Sequence, residues 1–252
     1  MLHCGDTLTC VTDPRTDELR DRLQRVHQRI ETACAATGRL DRPELIVVTK
    51  YFPAADVQRL YQLGVRQVGE NKDQEAAAKA VHTAISTAGL NWHFIGQLQS
   101  NKAKSVARYA SAVHSVDRSK LITALSKAAD QALQEGQRTA PLDCLIQVDL
   151  REPGVDDGRG GAVPAKVEEL AAQIAQATGL QLKGLMAVAP LGEPAEPAFD
   201  RLQQLASSLR GVHPEAHWIS AGMSQDLEAA VASGATHLRI GRDVLGSRPY
   251  PG

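Results

Sequence analysis

Two apolar rhythms alternate along this chain. Short runs of adjacent, often β-branched apolar residues read as strands buried on both faces. Between them lie longer stretches whose apolar residues recur every third or fourth position, the pattern of a helix with one buried side. The first helix runs from a cap at Thr16 or Asp17 to about Thr37, with Leu19, Leu23, Val26 and Ile30 on one face and Gly38 as its stop. Leu45 to Thr49 is the first strand, ending on Lys50, and Pro53 opens a helix through Leu63. Val65 to Gly69 is the second strand, with Glu70-Asn71 at its end and a helix from Asp73 to about Thr87 behind it. Asn91 to Ile95 leads into Gly96-Gln97 and a helix from Ser100 to Tyr109. Ala112 to Ser115 precedes a helix from Arg118 to Gln134 that Asp117 caps. Leu142 to Leu150 is the fifth strand, followed by a glycine-rich acidic loop, Arg151 to Gly161, and a helix from Pro164 to Ala177. Leu182 to Ala187 is the sixth, with a proline-rich loop at Leu191 to Pro197 and a helix to Leu209. His217 to Ile219 and Thr236 to Ile240 are the last two, separated by a helix from Gln225 to Ala232.

Eight strands alternating with helices over 252 residues predict an α/β fold, a single (β/α)8 TIM barrel with an extra helix in front. An open doubly wound sheet is the competing fold, but no GxGxxG turn follows the first strand. Residues 1–15 are polar and contain Pro14, so they read as a flexible N-terminal arm, which leaves residues 16–252 as one barrel domain.

Composition narrows the function. A formal net charge of −1 and an aromatic content of 4% argue against nucleic-acid binding. Cys4, Cys10, Cys34 and Cys144 form neither a CxxC pair nor a metal spacing, which suits a reducing, cytoplasmic setting. Cys144 reads as a small core residue; a Cys4–Cys10 disulfide is an alternative for the arm. No apolar run approaches the ~18 residues of a membrane helix, and no signal-peptide pattern opens the chain.

In such a barrel, functional groups gather at the C-terminal ends of the strands, and phosphate sits by the last two. The turn Ser220-Ala221-Gly222-Met223-Ser224 lies there, ahead of a helix start, and Arg239 and Gly241 close the eighth strand. Small residues, hydroxyls and backbone N–H groups at a helix start suit a phosphate. The plainer reading is an ordinary turn with Ser224 as N-cap; Asp226, an anion, is expected to point away. Strand-end Lys50 faces the same mouth as Arg239, so burial and that cation should lower its pKa and leave an amine able to attack an aldehyde. The bland alternative is a lysine reaching out to solvent. Arg239 could lie against the nitrogen of a pyridine ring, keeping it unprotonated, or form an ion pair inside the barrel. A phosphate cup, an arginine and a strand-end lysine are the parts of a site for pyridoxal 5′-phosphate. Glu70 and Asn71 are ring contacts or a strand-end turn. Lys102, Lys104 and Arg108 read as a solvated helix face, and His93, His114 and His217 as core or rim histidines without zinc spacing.

These residues stand within longer motifs: Val47-Val48-Thr49-Lys50, Val68-Gly69-Glu70-Asn71, the run Trp92 to Lys102, His114-Ser115-Val116-Asp117-Arg118, Gly184-Leu185-Met186-Ala187, Ser220 to Ser224 with Asp226 and Glu228, and Arg239-Ile240-Gly241. In that order they resemble the pyridoxal phosphate homeostasis protein family, related to the alanine racemase N-terminal domain. The resemblance implies a barrel that holds pyridoxal 5′-phosphate as a Schiff base on Lys50. Ser220, Ser224 and Gly241 then hold the phosphate, Arg239 lies near the ring, and Asn71, Gly222 and Met223 are further cofactor-binding residues. It implies a monomeric carrier that buffers the cofactor and supplies it to pyridoxal-phosphate-dependent apo-enzymes, with no metal and no established turnover. Two positions depart from the family pattern. Thr49 stands where serine is common, and Arg242 where a hydroxyl residue is common, which puts one phosphate contact in doubt.

The alternative is an amino-acid racemase of the alanine racemase type. Racemisation needs an acid/base group on each face of the bound substrate. In the racemases the resemblance points to, the second group is a tyrosine from a β-rich domain after the barrel. Here about a dozen residues follow the eighth strand, with Tyr250 a poor substitute, so a carrier with an open mouth is the expectation.

Overall fold

A computed structural model describes residues 13–151 and 160–248. Most of the arm with Cys4 and Cys10, the middle of the acidic loop, and Tyr250 lie outside the described residues. Eight parallel strands close in sequence order: β1 (Glu44–Val48), β2 (Gln67–Glu70), β3 (Asn91–Phe94), β4 (Ala112–Val116), β5 (Leu142–Gln147), β6 (Leu180–Met186), β7 (Trp218–Ser220) and β8 (His237–Ile240). The helices are α1 (Pro14–Ala36), α2 (Ala54–Gln62), α3 (Asp73–Thr83), α4 (Ala103–Tyr109), α5 (Ser119–Gln134), α6 (Val167–Gln176), α7 (Ala195–Val212), α8 (Leu227–Ala232) and α9 (Arg242–Leu245). This is the expected (β/α)8 barrel. Strands alternate sides as they must. Val47, Val68, Val113, Cys144, Leu238 and Ile240 face outward into the buried layer under the helices, so Cys144 is indeed a core residue.

The first helix begins earlier than the arm boundary at residue 15 allowed. Asp13 is its N-cap, accepting from the Arg15 N–H at 3.3 Å, and Pro14 takes the first helical position, where its missing N–H costs nothing. Arg15 is then anchored, donating to Asp56 at 2.8 Å and to the Leu245 carbonyl at 3.0 Å. Leu19, Leu23, Val26 and Ile30 are buried as their spacing required, and α1 packs over α2, α8 and α9, closing the outside of the β8–β1 seam.

Strand limits moved where backbone geometry intervened. β5 stops at Gln147, and Val148 instead bridges Ala162 across the acidic loop. β6 starts at Leu180, two residues earlier than expected, and its register against β5 shifts between Cys144 and Leu145. Gly184 sits there at φ +146°, with the Trp218 carbonyl oxygen 1.9 Å from where a Cβ would stand, so no other residue fits. α8 starts at Leu227 rather than Gln225, with Asp226 at the N-cap position in a non-helical conformation. Among the described residues no helix is long and apolar enough to cross a membrane.

Candidate active site at the barrel mouth

β1 ends at Val48, and the chain turns sharply through Thr49, Lys50 and Tyr51. Tyr51 has φ +70°, a left-handed conformation that costs a non-glycine residue about 1–2 kcal/mol. A set of polar contacts holds it. The Tyr51 N–H donates to Glu75 Oε1 at 2.6 Å. The ammonium of Lys79, 7% exposed, donates to that same oxygen at 2.6 Å, to the Thr49 carbonyl at 2.8 Å and to Glu70 Oε1 at 2.8 Å. The Thr49 hydroxyl completes the set, donating to Glu70 Oε1 at 2.6 Å. Glu70 is therefore a support behind the turn. Burial raises its carboxyl pKa, with Lys79 the main opposing influence. Thr49 supplies the hydroxyl that serine would.

The lysine that this turn carries is half-buried, and its pKa is lowered, first by desolvation and then by the charge of Arg248. The second cation is therefore Arg248, not Arg239 as the sequence suggested. The register explains why: Arg239 pairs with Ile46, inside the strand, whereas Lys50 lies in the turn beyond the strand's end at Val48. Lys50, Lys72 and Arg248 all lie within 6 Å of the Tyr51 ring, at 5.9, 5.4 and 4.7 Å.

On the other side of the mouth, Gly222 at φ +90° lets the post-β7 turn lie against α8: a Cβ there would stand 2.6 Å from Ala230 Cβ and 2.8 Å from Leu238 Cδ2. Asp226 does not point away. Its carboxylate accepts the Met223 N–H at 2.5 Å, so that amide is already committed within the turn. Gly241 lies against Val48, with its Cβ position 3.2 Å from the Val48 carbonyl oxygen. Arg29 of α1 ties both turns together, donating to the Ser224 carbonyl at 3.1 Å, to Asp243 at 2.6 Å and to Glu228 at 3.0 Å.

Beneath the mouth lies a polar layer. Arg239 is 5% exposed and donates from Nη1 to Ser220 Oγ at 2.7 Å and from Nη2 to the Ala187 carbonyl at 2.8 Å. It forms no ion pair with a carboxylate among the described residues, which removes the ion-pair alternative; burial lowers its pKa to about 10, so it stays charged at neutral pH. Ser220 is fully buried, and its hydroxyl is engaged inside the barrel with Arg239 and with His114 Nδ1 at 2.9 Å, not displayed at the rim as a phosphate contact would be. His93 and His114 are core residues, linked Nδ1 to Nε2 at 2.9 Å, while His217 is on the exposed rim. Burial pushes His93 down to about 3 and His237 to about 4, and holds His114 well below the usual imidazole range, so all three are neutral at neutral pH.

Three features fit an anionic, ring-bearing ligand with an aldehyde. A buried guanidinium without a carboxylate carries a desolvation penalty of several kcal/mol that a nearby anion offsets. The Asn71 Oδ1 atom is buried without a hydrogen-bond partner, and the Cβ position of Gly96 falls 2.2 Å from the Asn71 carbonyl oxygen, so the strand ends there are locked close together. Lys50 supplies an amine whose pKa burial lowers below that of an ordinary lysine. Among the described residues no His, Cys, Asp and Glu cluster could hold a metal. Lys102, Lys104 and Arg108 are exposed, as a solvated face requires.

Sequence reasoning missed Lys79, Glu75, Arg29 and Arg248. A signal existed for one of them: Lys79 shares the buried side of α3 with Ala76 and Thr83, an odd place for an unpaired lysine.

Residues 18–249 match the family model described as alanine racemase, N-terminal domain. A pyridoxal phosphate homeostasis protein of Mycobacterium tuberculosis is 42% identical over 243 residues, 93% of this chain and 94% of that protein. One from Escherichia coli K12 is 36% identical over 242 residues, covering 93% and 98%. The solved structure of PipY from Synechococcus elongatus, with PLP bound, superposes with a TM-score of 0.75 at 31% identity, covering 90% of this chain and all of that one. The chain belongs to the pyridoxal phosphate homeostasis protein family, built on the alanine racemase N-terminal barrel.

Proposed function

We propose that this protein binds pyridoxal 5′-phosphate at the barrel mouth, holds it as a Schiff base on Lys50, and serves in cofactor homeostasis as a carrier rather than an enzyme. The bound cofactor would supply the aldehyde for that linkage and the phosphate that anchors it. Lys50 provides the amine from a turn that Glu75, Lys79 and Glu70 immobilise. The Gly222–Ser224 and Gly241 turns, clamped by Arg29, surround the phosphate; Asn71 and Arg239 face the ring. Arg239 cannot accept a proton, so the ring nitrogen beside it stays unprotonated and the ring is a weak electron sink, which suits storage better than turnover. The single observation that carries the reading is a buried, uncompensated Arg239 below a lysine of lowered pKa. The protein is taken to act as a cytoplasmic monomer that hands the cofactor to apo-enzymes.

The test is the visible absorbance of purified protein after adding the cofactor, before and after borohydride, with peptide mapping. Reduction should fix the label on Lys50, and Lys50→Ala should abolish the band while retaining some noncovalent cofactor. A label on another lysine, or no band, refutes the assignment. An alanine racemase assay on the loaded protein separates carrier from racemase.

A further inference from the structure

The histidines have no part in the reading above, yet two of them lie in a continuous, largely buried chain of polar contacts. It crosses the barrel interior from β2 to β8. Gln67 Oε1 lies 2.7 Å from His93 Nε2; His93 Nδ1 lies 2.9 Å from His114 Nε2; His114 Nδ1 lies 2.9 Å from Ser220 Oγ; and Ser220 Oγ lies 2.7 Å from Arg239 Nη1. His93, His114, Ser220 and Arg239 are all buried, and among the described residues no carboxylate hydrogen-bonds to them. The groups facing the two imidazoles are Gln67, Ser220, Arg239 and His237, whose ring centroid is 6.4 Å from that of His93.

The chain permits only one proton order with Gln67 as acceptor. Its amide oxygen needs a hydrogen, so His93 carries its proton on Nε2. His93 Nδ1 is then an acceptor, and His114 carries its proton on Nε2. His114 Nδ1 in turn accepts from the Ser220 hydroxyl. The lone pairs of Ser220 Oγ are left for Arg239, which can only donate. Each donor in the chain meets an acceptor, and the sense of the whole chain is set at Gln67, beside the hollow of about 450 Å³ at the opposite end of the barrel.

We propose that Gln67, His93 and His114 are positioning residues for cofactor binding: a proton-ordered relay that fixes the Ser220 hydroxyl and, through it, holds the Arg239 guanidinium at one place beneath the ring. The inference rests on the reading that Arg239 faces the cofactor ring. The relay itself is visible without cofactor, so the two fail separately.

The test uses the full-length protein. Nitrogen-15 NMR of the unloaded protein should show both imidazoles as the Nε2–H tautomer, with neither titrating from about pH 5 to about pH 8. Gln67→Met, a half-buried and nearly isosteric change, removes the acceptor without threatening the fold. It should mix the tautomers of His93, broaden the Arg239 guanidinium signals, weaken pyridoxal phosphate binding on the order of tenfold, and shift the pH midpoint of the visible band. Gln67→Glu keeps an acceptor oxygen and should restore the tautomer order. Nδ1–H imidazoles in the wild type overturn the relay. So do wild-type Arg239 signals and an unmoved midpoint in both Gln67→Met and His114→Leu. If the wild type takes up no cofactor, the functional reading fails, and with it the role assigned to the relay, even where the tautomer order is as derived.

Discussion

Lys79 is the residue whose loss should do most damage at a distance from any ligand. Its ammonium makes three contacts at 2.6 to 2.8 Å, to Glu75, Glu70 and the Thr49 carbonyl, and all of them converge behind the Lys50 turn. Lys79→Met keeps the length of the side chain and removes the charge. Glu70, 1% exposed, is left with only the Thr49 hydroxyl. Removing one partner of a buried pair costs about 3–5 kcal/mol. The Glu75 half, at 25% exposure, is screened by solvent and adds no more than ~1 kcal/mol. Glu70 can relieve part of this by taking a proton. Its folded pKa is already raised and rises further without Lys79, so its favourable contribution is present at low pH and lost as pH climbs through the folded pKa. The deficit of Lys79→Met relative to wild type should therefore be about 3–5 kcal/mol near neutral pH and smaller near pH 5. Urea unfolding of wild type, Lys79→Met and Lys79→Met/Glu70→Gln at both pH values measures it. The double variant should recover part of the loss and flatten the pH difference. A deficit under ~1 kcal/mol, or one unchanged by pH and by Glu70→Gln, refutes the account. Cofactor loading should fall in parallel, since the turn bearing Lys50 loses its clamp.

Three further outcomes are expected. Gly222→Ala places a Cβ 2.6 Å from Ala230 Cβ at φ +90°, so strain and overpacking together should cost ~2–5 kcal/mol by thermal or urea unfolding; a loss below ~1 kcal/mol contradicts this. His93 and His237, with folded pKa values of about 3 and about 4 against 6.5, bind fewer protons than the unfolded chain below pH 6.5. Stability should then fall as pH drops, by about 1.4 kcal/mol per pH unit for each, and His93→Gln should reduce that slope. Arg29→Met should cost little stability, about 1 kcal/mol, because its side chain is 36% exposed, yet it unties both phosphate-side turns. A faster cofactor off-rate in stopped-flow exchange, with a near-normal melting temperature, is the expected signature; an unchanged off-rate refutes the clamp.

The barrel was legible in the chain because both periodicities are local: continuous apolar runs and three-four spacing need no knowledge of what packs against them. Lys50 and the glycine-hydroxyl turn were legible for the same reason, since a strand end and a turn are neighbours in sequence. The role of Ser220 was not. It was read as the first residue of a loop, but β7 extends one residue further, and period-two alternation then sends its hydroxyl into the barrel rather than onto the rim. Arg239 was placed correctly at the eighth strand, but its depth, level with Ile46, depends on the β1–β8 register, which only closure of the sheet decides. The relay from Gln67 to Arg239 joins β2, β3, β4, β7 and β8, and the cage behind Lys50 joins β1, β2 and α3. No local pattern encodes such pairings. They exist because a closed parallel barrel brings strands far apart in sequence around one interior, where these polar groups, cut off from water, find their partners on other strands.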